Sequence, residues 1–218
     1  MSAPSIDPAD LGDLTGCLRA VFRKSLQSVD VCLPAVVIAY DRTTNRATVK
    51  PMIQLIATDD SLIGRAGVAD VPVYQPGGGG MMLSFNLKPG NLGWLIASDR
   101  DISLFMQGGA ESKPNTLRMH SFSDGMFLPD RTFDFSINAE DTENAVWQTT
   151  DGACRVALAA DHIKLTVGDV SMTVSGTGVA ITGGTVTHNG TNIGSTHIHS
   201  QGADGAGDAE VDTGGPHS

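Results

Sequence analysis

The chain has 218 residues, with 24 acidic against 14 basic side chains and a formal charge of −10. A length of this order suits one or two domains, and the negative charge repels nucleic-acid phosphates. No run of about 18 apolar residues is present to cross a membrane, the opening MSAPSIDPADLGDL lacks the pattern of a secretory signal, and three scattered cysteines (Cys17, Cys32, Cys154) argue against a disulfide framework or a cysteine zinc site.

The first predicted element is a helix over about residues 8–27. Asp7 is the candidate N-cap, Pro8 suits the first helical position and Asp10 complements the helix dipole. Leu11, Leu14, Leu18, Val21, Phe22 and Ser25 recur at helical spacing, and this apolar face is expected to pack on its own domain.

From residue 31 the period changes to two. VCLPAVVIAY and RATVKPMIQLIA alternate as half-buried strands and are joined by DRTTN, which has the composition of a hairpin turn. Pro34 and Pro51 mark edges or bulges. VADVPVY, MMLSFNL, GWLIA and LRMHSF continue the series, giving about five short antiparallel strands that fit a small barrel or sandwich, the OB type among them. Gln75, Pro76 and Gly77 to Gly80 are expected to form a mobile loop, because no Gly-Lys-Ser/Thr follows to make a phosphate cradle.

Composition breaks near residue 150. All eleven aromatic residues lie at or before Trp147, and thirteen of the 26 glycines fall after residue 150. That last stretch has two basic residues, Arg155 and Lys164, against seven acidic ones. Small side chains alternate in short clusters (Val156 and Leu158; Ile163, Leu165 and Val167; Val170, Met172 and Val174; Val179 and Ile181; Val186), separated by Gly and Asp turns. So little apolar volume cannot fold alone, so the segment is either disordered or packs against copies of itself. The pattern predicts a β-solenoid that closes its edges by winding with identical copies, most economically as a trimeric, intertwined β-helix.

The end of the chain carries the most specific chemistry, HNGTNIGSTHIHS. Asn189-Gly190 is a turn signal, and Thr196-His197-Ile198-His199 reads as a strand with both imidazoles on one face. Two histidines are too few for a closed metal site, whereas three chains supply six nitrogens; imidazole suits iron, zinc, copper and nickel, and an octahedron fits zinc poorly. The bland alternative is two solvated histidines on an exposed strand. Asp208, Glu210 and Asp212 alternate like hard-cation ligands but lack EF-hand spacing and fit a solvated acidic loop. His120 and His162 are isolated, and nothing places Glu111, Glu140 or Glu143 across a cleft as a glycosidase would need.

HNGTNIGSTHIH followed by a Gly-rich stretch and TGGPH resembles the C-terminal tip of the central baseplate spikes of contractile-tailed phages. PGNLGWLIASDRDISLF and NTLRMHSFSDGMFLP are similar to the N-terminal domain of the same group. The resemblance covers most of residues 30–217. It implies a mainly β protein: an N-terminal helical segment (1–29), an OB-fold-like baseplate-attachment domain (30–125), a connector (126–150), a trimeric β-helix (151–187) and an apex (188–218). It further implies that His197 and His199 of three chains bind one iron ion per trimer, on the three-fold axis. His188 stays outside that ligand set. The implied role is structural and non-enzymatic. The spike sits at the tail tip of the virion, binds the baseplate hub through its N-terminal domain and contacts the host outer membrane transiently as it pierces it, with no nucleic-acid partner. A trimeric receptor-binding or adhesive fibre is the alternative, and a metal-dependent enzyme with an open coordination position the weaker one.

Overall fold

The computed structural model describes residues 12–57, 61–200, 202, 205 and 212–214. Helix α1 runs Leu14–Gln27. Asp13 is its cap, extended at φ −147° and accepting a hydrogen bond from the Gly16 amide at 2.6 Å. The expected cap at Asp7, with Pro8, Asp10 and Leu11, lies outside the described residues. Its apolar face does not pack on its own domain as expected: Leu14, Leu18, Val21, Phe22 and Leu26 are all exposed.

The chain divides into two compact units, Met1–Phe133 and Asp134–Ser218. In the first, β1 (Cys32–Asp41), β2 (Arg46–Pro51), β5 (Val68–Pro72), β8 (Leu92–Ser98) and β9 (Ser121–Pro129) form one antiparallel sheet in the order β5-β2-β1-β8-β9. Two short hairpins branch from it, β3 (Leu55–Ile56) with β4 (Leu62–Ile63), and β6 (Gly77–Gly78) with β7 (Met81–Met82). Helix α2 (Ser103–Gly108) lies between β8 and β9. The two ends of the sheet curl together: Val73 bridges Phe127 in parallel, and the Tyr74 amide donates to the Phe127 carbonyl at 2.8 Å. The result is a nearly closed five-stranded barrel, the class to which OB folds belong.

Period-two alternation explains the barrel core. Ala35 and Val37, Ala47 and Val49, Val71 and Val73, with Leu95, Phe122 and Phe127, point inward and are buried. Phe127 needs Gly93 opposite it, since a Cβ there would stand 2.5 Å from the ring and 2.3 Å from the Leu128 carbonyl oxygen. Pro34 and Pro51 sit where the β1–β2 ladder ends, and the irregularity in that ladder falls between Val37 and Ala39.

Three expectations change here. LRMHSF is a strand only from Ser121, and the strand continues through Pro129; the buried Asp124, held by Arg118 Nε and Nη2 at 2.6 and 2.8 Å, disguised it as loop. MMLSFNL pairs only at Met81–Met82. The Gly77–Gly80 segment is a tight hairpin rather than a mobile loop, with Gly79 and Gly80 both at positive φ (59° and 84°) as a two-residue turn requires.

The second unit is a meander. β10 (Ala145–Gln148), β11 (Cys154–Leu158), β12 (His162–Val167), β13 (Val170–Ser175) and β14 (Gly178–Thr182) pair consecutively, every pair antiparallel. A 3-10 turn, Ala139–Asp141, precedes it, and a hairpin of β15 (Thr187–His188) with β16 (Thr191–Asn192) follows. The stretch between the last barrel strand and the first meander strand, 130–144, is thus shorter than the expected connector of 126–150.

Candidate functional site

The register of the meander sorts its side chains by face. One row across the sheet reads Trp147, Val156, Leu165, Met172 and Ile181; the next reads Ala145, Leu158, Ile163, Val174 and Val179; a shorter one reads Cys154, Val167 and Val170. Directly paired residues share a face, so every side chain in these three rows, apolar or sulfur-bearing without exception, falls on a single side. That side is bare: Trp147, Leu158, Ile163, Leu165, Val167, Met172 and Ile181 are all exposed. An apolar sheet face of this extent marks an interaction surface.

The opposite face is polar and partly covered by the chain itself. Arg155 is buried there, its Nε donating to Asp141 at 2.7 Å and its guanidinium also pairing with Glu140, which accepts from Lys164 Nζ at 2.8 Å. This network ties the Ala139–Asp141 turn to β11 and β12, so that part of the face is covered within one chain. It also assigns Glu140 structural partners, whereas Glu111 and Glu143 are exposed. His162 lies on the polar face with Nδ1 2.7 Å from Asp161, whose carboxyl is held below its ordinary range by that hydrogen bond. His120 approaches Asp99 at 3.8 Å.

At the C-terminal end the structure brings His197 and His199 together, with ring centroids 5.2 Å apart and planes at 87°. They do not lie on a strand as alternation predicted. Asn192 forms a side-chain turn instead: its Oδ1 accepts from the Gly194 amide at 2.9 Å and its Nδ2 donates to Thr196 Oγ1 at 2.8 Å. The His197 amide then donates to the Gly194 carbonyl at 3.1 Å, and His197 Nδ1 lies 2.7 Å from the same oxygen. A carbonyl can only accept, so Nδ1 donates; in the neutral ring this tautomer puts the lone pair on Nε2, the arrangement found behind metal-ligating histidines. The donor set therefore fits a metal bound through imidazole.

His199 is anchored from the other side. Its amide donates to Thr213 Oγ1 at 2.8 Å and its carbonyl accepts from the Thr213 amide at 3.0 Å. The chain thus returns to the histidine pair after residue 212; Asp208 and Glu210 of the acidic segment lie outside the described residues. Among the described residues no third His, Cys, Asp or Glu joins the pair. His188 belongs to β15, paired with Thr191. Two features escaped the sequence reading: the Arg155–Asp141 pair, whose only trace was a basic residue in a nearly cation-free segment, and the Asn192 turn, whose trace was Asn two residues before Gly.

Residues 33–130 match the family model described as phage protein Gp138 N-terminal domain, a little under half of the chain. No curated protein matches the chain. The matched stretch is the barrel, from the second residue of β1 to just past β9. The match supports a structural protein of the phage tail or baseplate that assembles with other tail proteins. No helix among the described residues is long and apolar enough to cross a membrane.

Proposed function

We propose that the protein is the central spike of a contractile phage tail, a homotrimer whose OB-type barrels attach to the baseplate hub and whose meanders form a rod that is driven through the host outer membrane. The observation that carries this reading is the order along one chain: a phage-family barrel, then a sheet whose entire apolar face lacks a cover. Three such faces turned toward a common axis bury their rows against one another and leave the polar faces in water. Each sheet already satisfies its interior hydrogen bonds through its own neighbouring strands, so the chains meet by face packing over 145–182, and interweaving is confined to the residues beyond 182.

At the apex, His197 and His199 of three chains would hold one iron ion. The ion would supply coordination bonds that cross-link three glycine-rich ends where side-chain packing is scarce. The chain's own residues prepare for it: Gly194 fixes the His197 tautomer, and Thr213 pins His199. A stiff rod with a pinned end transmits axial force without splaying.

The test is metal content per polypeptide, by elemental analysis of the untagged protein, together with its mass by light scattering. The expected result is three times 22.7 kDa and one iron for every three chains. The variant carrying both His197→Ala and His199→Ala keeps the mass and loses the metal. A single-chain mass, or one metal per chain retained in the double variant, overturns the reading.

A further inference from the structure

Helix α1 is the feature that the spike reading leaves unused. Leu14, Leu18, Val21, Phe22 and Leu26 are exposed by 77, 49, 62, 66 and 70 %, respectively. At 100° per residue they span an arc of roughly 140°. Within Leu14–Gln27 the charged residues are Arg19, Arg23 and Lys24, with no carboxylate. Arg23 lies on the far side of the helix from the arc, and Arg19 and Lys24 flank it on either side.

We propose that α1 packs on α1 of two further copies as a parallel three-helix bundle. This rests on the three-copy reading above and adds an interface at the other end of the chain. Leu14, Leu18, Val21 and Ser25 follow the 4-3-4 spacing of a heptad seam. One partner helix covers a narrow stripe, whereas two neighbours cover an arc of this width, with Phe22 and Leu26 filling its outer side. The three cations fall at the border or outside, where water and salt screen their mutual repulsion.

The linkage to the barrel makes the copies available. Only four residues separate α1 from β1, and they are tied down: the Asp30 amide donates to the His120 carbonyl at 3.2 Å, and the Ala97 amide donates to the Val31 carbonyl at 2.8 Å. A helix of 14 residues is about two heptads and too short to associate from dilute solution by itself. Three barrels held in one assembly raise its local concentration enough to pair. The bundle is therefore a consequence of trimer formation.

Thiol cross-linking of the full chain tests this, in a background of Cys17→Ser, Cys32→Ser and Cys154→Ala. Leu18→Cys places a thiol in the middle of the arc; Ser25→Cys does so without removing an apolar contact; Gln27→Cys places one on the far side. Under mild oxidation the first two are expected to give covalent dimers on a non-reducing gel at least roughly ten-fold faster than Gln27→Cys, all three keeping a three-chain mass by light scattering. Equal, slow cross-linking at all positions in a three-chain particle overturns the bundle and leaves the spike trimer standing. A one-chain mass in the unmodified protein overturns both.

Discussion

Replacing Leu165 by Ala separates the stability of one sheet from that of the assembly. Leu165 is the middle member of the row from Trp147 to Ile181 and is 39 % exposed in the single chain. Full burial of a leucine side chain is worth about 1.5–3 kcal/mol, so covering the remaining two-fifths contributes about 0.6–1.2 kcal/mol per chain and about 2–3.5 kcal/mol for three. At 1.4 kcal/mol per decade, the trimer dissociation equilibrium shifts roughly 30- to 300-fold. Guanidinium unfolding followed at several protein concentrations reads this directly: a trimer gives a midpoint that rises with concentration, and Leu165→Ala lowers it where the chain is trimeric, by an amount that shrinks as dilution dissociates both proteins. Thr173→Ala, on the polar face opposite Lys164, is the control and leaves the concentration dependence alone. A midpoint independent of concentration, or equal shifts in the two variants, refutes the argument that the apolar face is an interface between copies.

Two further outcomes are expected from the barrel. Gly93→Ala forces a methyl group against Phe127 and the Leu128 carbonyl, and overpacking of this kind costs about 1–3 kcal/mol; chemical denaturation should show that loss, with Gly78→Ala, which meets nothing within 4 Å, close to unchanged. Hydrogen bonding by Ser103, whose amide donates at 2.9 Å, and by Thr116 Oγ1 at 2.7 Å holds the Asp101 carboxyl far below its ordinary value of 3.8, and the Arg118 charge 3.3 Å away adds the smallest part. A depressed carboxylate stabilises the fold fully above its unfolded value, and that contribution is lost as pH falls below 3.8 toward the folded value. Acid unfolding monitored by the tryptophan signal should therefore steepen below that pH, and Asp101→Asn should flatten it; an unchanged slope in the variant would remove Asp101 from the acid response.

What the sequence made legible was local. Alternation located β1, β2 and β5 and every strand from β11 to β14, since each small cluster between Gly and Asp turns holds two or three apolar side chains on one face. Position across the sheet was not legible. The row joining Trp147 to Ile181 depends on loop lengths such as the two residues, Gly168 and Asp169, between β12 and β13, and a one-residue slip would have moved every apolar side chain to the other face. Where the reading failed, a polar side chain had found a specific partner. Asp124 is buried inside a strand because Arg118 neutralises it, and Asn192 converts the His-x-His strand into a turn. The histidine pair itself was visible as residues, but the Gly194 and Thr213 contacts that orient it come from main-chain geometry that spacing does not encode.

The meander also bears on how such a rod is made. Each of its strands pairs with the one synthesised just before it, through connections of two to five residues, so nearly all its hydrogen bonds close over short stretches of chain. Local contacts of this kind form quickly, whereas bringing three chains together is a collision whose rate depends on concentration. For the proposed trimer, maturation then divides into a fast step within each polypeptide and a slower encounter among them. In the interval each subunit displays a sticky surface, and it is the residues without aromatic bulk, from Val156 onward, that keep this surface thin while it waits.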